Sequence, residues 1–71
     1  MNELKVGGTY QHYKGHVYKV INVAKHSETL EDLVVYFNVE EPEKLWARPK
    51  SMFAENVVVN GNTVPRFKLI S

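Results

Sequence analysis

Two dipeptides, Lys14-Gly15 and Asn60-Gly61, each stand between runs of β-branched and aromatic residues, and together they commit the chain to hairpins. An Asn-Gly pair accepts the positive φ angles of a tight turn whose twist matches the strands it joins. The same punctuation recurs along the chain. Strands are expected over 9–13, 16–24, 33–37, 45–48, 56–59 and 66–70, each rich in Val, Ile, Tyr, Phe or Trp. Pro49 stops the fourth, because proline cannot donate to a ladder. Helical period never extends beyond a turn or so; 51–55 is long enough for one turn and too short to stand alone. The stretches 25–32 and 38–44 are polar connections, the second carrying Pro42 and three Glu.

This pattern predicts a mostly β fold, with a small SH3-like, partly closed β-barrel of five to six strands as the choice at this length. Closure would remove sheet edges that otherwise invite aggregation. An OB-like barrel is the runner-up, although it ordinarily uses a longer chain. With 71 residues there is room for one core, so 1–71 is read as a single domain. A domain of this size buries only about 60% of its unfolded surface, so nearly every large apolar side chain is needed. The 44% hydrophobic content supplies them.

Composition also bounds function. There is no cysteine, so neither disulfide nor thiolate chemistry is available. The start Met1-Asn2-Glu3-Leu4-Lys5 lacks the basic flank and apolar stretch of a secretory leader, and no apolar run approaches the roughly 20 residues of a membrane span. A cytoplasmic protein with no membrane partner is expected. Net charge is +1 with the cations scattered, so nucleic acid is an allowed partner and not the favoured one.

Several strings resemble a small bacterial family known as domain of unknown function 1653: Tyr13-Lys14-Gly15, His26-Ser27-Glu28-Thr29, Val34-Val35-Tyr36, Trp46-Ala47-Arg48-Pro49, Met52-Phe53 and Pro65-Arg66-Phe67. The likeness runs from about Gly8 to Ile70. It implies a short, cytosolic bacterial protein with an SH3-like barrel, and it carries no activity over to these positions. The chain departs from the family pattern at 38–44, where a Leu-Tyr-Gly segment is expected before the Trp.

Two constellations are candidates for chemistry. His26-Ser27-Glu28-Thr29 puts four polar groups in one connection, either as a ligand loop or as a turn in which Ser27 or Thr29 caps its own backbone. Trp46 and Arg48, two apart on a strand, face the same way and would clamp a planar or carboxylate-bearing partner. Taken alone, Trp46 is expected to fill the core. His12, His16 and His26 give no ligand spacing, so no metal and no cofactor is expected. A serine mechanism through Ser27, a histidine and Glu28 or Glu31 lacks a nucleophile elbow, and no catalytic residue is assigned.

The expectation is therefore a non-enzymatic binding module. Its polar pocket or partner surface gathers Tyr13, His26, Ser27, Glu28, Thr29, Trp46, Arg48 and Arg66 at one end of the barrel, for a small molecule or protein not identified by the sequence. The chain is expected to be a monomer or weak homodimer. The alternatives are a nucleic-acid-binding barrel using Lys14, Lys19, Lys25, Arg48 and Arg66, and a small hydrolase or transferase centred on His26 and Ser27.

Overall fold

The computed structural model describes residues 4–71. The first three residues of the expected 1–71 domain, and the reading of Met1 to Glu3 as lacking a leader, lie outside the described residues. Strands β1 (Thr9–His12) and β2 (Val17–Lys25) form the first hairpin, with Tyr10 opposite Tyr18. Gly15 makes its turn at φ 106, a conformation that side chains avoid, and its N–H donates to the His12 carbonyl at 2.7 Å. β3 (Asp32–Asn38) pairs with β2, and β4 (Leu45–Pro49) pairs with β3. A four-residue helical turn, α1 (Lys50–Phe53), leads to the hairpin of β5 (Asn56–Val59) and β6 (Asn62–Pro65). Finally β7 (Phe67–Leu69) returns to pair with β1.

The result is mostly β, as the sequence predicts, with more strands than the five to six expected. Among the described residues seven strands make a five-stranded sheet, ordered β4-β3-β2-β1-β7, and a separate two-stranded β5-β6 ladder, and the sheets do not close into a barrel. The extra strand has a local cause. Asn60 (φ 51) and Gly61 (φ 80) form a turn so tight that the partner of β5 must begin at once, at Asn62. Pro65 ends that partner, and the strand expected over 66–70 follows as β7, which crosses to β1. Replacing Gly61 by Ala is expected to cost about 1 kcal/mol, because a Cβ disfavours positive φ. A urea midpoint unchanged by the replacement would contradict this.

Opposed residues in a ladder share a face, and neighbours along a strand alternate. The registers therefore place Tyr10, His12, Tyr18, Val20, Val34, Tyr36, Asn38, Trp46, Arg48 and Phe67 on one inner face. A bulge between Val20 and Asn22 adds one residue to β2, so that Val23 rather than Asn22 meets inward-facing Val34.

The core is the middle of this inner face: Tyr10, Val20, Val34, Tyr36 and Phe67, covered by Phe53 from α1. Phe53 stacks parallel on Phe67 at 4.1 Å and meets Tyr10 and Tyr36 edge-on. Each such edge contact adds about 0.5–1.5 kcal/mol to the area term. α1 has no side-chain cap, and four residues are far too few to be helical by propensity. Burial of Phe53 is what holds it. Among the described residues no helix is long and apolar enough to cross a membrane.

Candidate functional site

The inner face does not end where the core ends. Beyond Tyr36, side chains from β2, β3 and β4 continue into an open pocket of about 250 Å³ lined by Tyr18, Tyr36, Asn38, Glu41, Trp46 and Arg48. Register explains the assembly: Tyr18 lies opposite Asn38, and Tyr36 lies opposite Trp46. Trp46 is 54% exposed, so it is not the core residue that its size suggested. β4 is the last strand of the sheet, with no neighbour on its far side to bury the indole. Phe53 and Phe67 fill the position the tryptophan was expected to take.

Arg48 is the one cation in the pocket lining. Its Nε donates to the Tyr36 phenol oxygen at 3.3 Å, and its guanidinium carbon lies 5.8 Å from the centroid of the Phe67 ring. Half-buried and fixed on two sides, it has no carboxylate partner among the described residues. A guanidinium fixed this way, with its terminal N–H groups uncommitted to any acid, is ready to accept a carboxylate or phosphate with little loss of side-chain entropy. On the opposite rim Glu41 pairs with Lys44 at 3.2 Å, and the Asn38 Oδ1 accepts the Glu40 N–H at 2.9 Å, leaving its amide group to donate.

Next to the pocket, His12 packs edge-on against Phe67 and Tyr18, while its Nδ1 accepts the Lys14 N–H at 3.2 Å. Burial, then the charges of Arg66, Lys14, Arg48 and His16, hold its pKa below the ordinary 6.5. The neutral ring therefore carries its proton on Nε2. Because the folded value is depressed, the unfolded chain binds the proton first as pH falls. Stability is thus expected to drop as pH goes from 6.5 down through the folded value, then level off. His12→Gln should flatten that slope in urea titrations across the range; an unaltered slope would assign it elsewhere.

The other residues singled out in the sequence are held differently. His26 to Thr29 form the β2–β3 turn: the His26 Nδ1 accepts the N–H groups of Glu28 and Thr29, at 3.1 and 3.3 Å, and the Thr29 Oγ1 accepts that of Glu31 at 3.2 Å. Ser27 is exposed in the same turn. This loop follows Lys25 and precedes Asp32, whereas Tyr18 and Asn38 occupy the other end of the same strand pair. None of residues 26–29 lines the pocket.

Arg66 gives Nε and a terminal nitrogen to the Glu55 Oε1 at 3.1 and 2.6 Å, tying the start of β7 to the approach to β5. Tyr13 lines a second, shallow hollow of about 330 Å³ with Val59, Asn60, Asn62 and Val64. Among the described residues no cluster of three or more metal-ligating side chains forms. The structure thus unites Trp46 and Arg48 in one pocket, whose lining includes neither the His26 turn nor the Arg66–Glu55 pair.

The family described as protein of unknown function DUF1653 matches residues 8–69, nearly the whole chain. The chain belongs to the DUF1653 family. Its fold is similar to the crystal structure of a DUF1653 protein from Bordetella bronchiseptica, with a TM-score of 0.82 and 30% identity, covering 93% of this chain and 87% of that one. Among curated proteins, none matches the chain.

Four pocket residues of this DUF1653 chain, Tyr18, Tyr36, Asn38 and Glu41, were not among the sequence candidates. Tyr36 was recoverable in principle, since pairing β3 with β4 puts it beside Trp46. Asn38 and Glu41 belong to a segment that reads as solvated loop, and nothing local marks them as pocket walls.

Proposed function

We infer that the chain is a non-enzymatic binding module of SH3-like outline, a single cytoplasmic domain that takes a planar, carboxylate-bearing ligand in the Arg48 pocket. The observation that supports this is the guanidinium of Arg48, held by Tyr36 and Phe67 near an exposed indole and without an acidic partner among the described residues. The carboxylate sits on Arg48, the flat body lies against Trp46 and Tyr18, and the Asn38 amide donates at the edge. A volume near 250 Å³ lies just below the usual range for ligand sites, which suits a fragment-sized molecule. Enzymatic chemistry is not favoured, because the His26 Nδ1 is taken up by two backbone N–H groups of its own turn.

Indole-3-acetate is a suitable probe, with tryptamine as the counterpart lacking the carboxylate. Titration into ¹⁵N-labelled protein is expected to shift the amides of Tyr18, Asn38, Trp46 and Arg48 at millimolar affinity, about −4 kcal/mol. Tryptamine should not do so. Arg48→Gln should weaken the acid by about tenfold or more, since it removes charge-assisted hydrogen bonds. Equal binding by the Gln variant would refute the reading.

A further inference from the structure

β4 is an outermost strand of the sheet, and it is longer than the strand at the other edge. β7 has only three residues and presents Lys68, a short and charged edge of the kind that resists pairing. β4 has five residues, and Leu45, Trp46 and Ala47 are all exposed. Along its far side the strand has no neighbouring strand among the described residues, and, Pro49 lacking an N–H, only residues among 45–48 can donate there as well as accept. The charge of this edge is one-sided: Lys44-Leu45-Trp46-Ala47-Arg48-Pro49-Lys50 holds three cations and no acid. Lys44 is paired to Glu41, whereas Arg48 and Lys50 have no acidic partner among the described residues.

We propose that β4 is a docking edge for an extended acidic peptide segment of a partner protein, which adds to the sheet as a further strand. Backbone pairing would supply affinity, and acidic side chains at alternate positions would meet the cations of the edge. The inference goes beyond the pocket reading and shares only Trp46 and Arg48 with it.

A second copy of the chain fits the same edge poorly. Antiparallel self-pairing about a two-fold axis keeps the inner faces aligned. Centred on Trp46 it opposes Lys44 to Arg48, centred on Ala47 it opposes Lys44 to Lys50, and centred on Arg48 it opposes that arginine to itself. Like charges directly opposite are unfavourable. A nucleic acid could use the cations but would leave the strand's donors and acceptors unpaired, so a peptide is the better occupant.

The test uses the ¹⁵N-labelled chain and capped peptides of about seven residues, enough to span the five of β4, alternating valine with glutamate or with aspartate. Amide shifts are expected to concentrate at 44–50. Glutamine in place of the acid should weaken binding by about tenfold, and added salt should do likewise. Two further peptides are N-methylated at odd or at even positions only. A paired strand uses one edge of its backbone, so one of the two should lose binding and the other retain it.

The proposal is overturned if neither peptide series shifts 44–50 at about 1 mM, if both methylated forms bind equally, or if oligothymidylate shifts these amides while the peptides do not. Indole-3-acetate binding without peptide binding would sink the edge and leave the pocket standing. Peptide binding without indole-3-acetate binding would do the reverse.

Discussion

Replacing Phe53 by Ala is expected to remove about 3–5 kcal/mol of stability, the range for a fully buried phenylalanine. Folded domains hold about 0.05–0.15 kcal/mol per residue, so for a chain of this length that loss is about half of the total at the middle of both ranges. The size of the effect follows from how much depends on one ring. Phe53 stacks on Phe67 and meets Tyr10 and Tyr36 edge-on, so its removal opens the centre of the core rather than its margin. It is also the one buried residue of α1, so the helical turn loses its attachment. Phe53→Leu should recover much of the loss, because volume matters more than aromaticity at a packed site. Chemical denaturation followed by circular dichroism measures both variants, and a midpoint for the Ala variant close to the parent's would show that the core is elsewhere.

Val34 and Val35 are adjacent in sequence and opposite in consequence. Val34 is wholly buried on the inner face, between Val23 and Arg48, while Val35 is half-buried on the outer face opposite Ala47. Val34→Asp would put a carboxylate among apolar side chains, costing several kcal/mol even with its pKa raised, and the protein should fail to fold at neutral pH. Val35→Asp keeps contact with water and should cost about 1 kcal/mol, so a native-like spectrum is expected. The pair tests face assignment without relying on absolute stabilities. Comparable damage from both, or greater damage at Val35, would mean that the register is displaced by one residue.

The contrast also shows which parts of the fold were legible in the sequence. Strand positions were readable because β-branched and aromatic runs stop at Gly, Asn and Pro, so β1 to β5 and the turn at α1 fall close to where they were expected. Pairing beyond neighbours was not readable. That the strand expected over 66–70 pairs with β1 and brings Phe67 over Phe53 depends on contacts between distant segments that local propensity does not encode. The same limit governs the site. Trp46 and Arg48 two apart announce a shared face, but whether that face is core or surface depends on β4 being an edge. His26 and Thr29 drew notice as polar groups and prove to accept backbone N–H groups of their own turn, a use that is common for such residues, while Ser27 is exposed beside them. Arg66 is likewise occupied, by Glu55, an acid eleven positions away that no motif connects to it.

The chain has two arginines, and the account gives them opposite roles. Arg66 is closed by Glu55, whereas Arg48 is held by Tyr36 and left open to the pocket. A ¹⁵N spectrum of the arginine side chains, recorded with and without indole-3-acetate, separates the two directly. The Arg48 Nε resonance is expected to move and its terminal N–H groups to slow in exchange, while Arg66 stays in place. Movement of Arg66 alone, equal movement of both, or no change at saturating ligand would contradict the account.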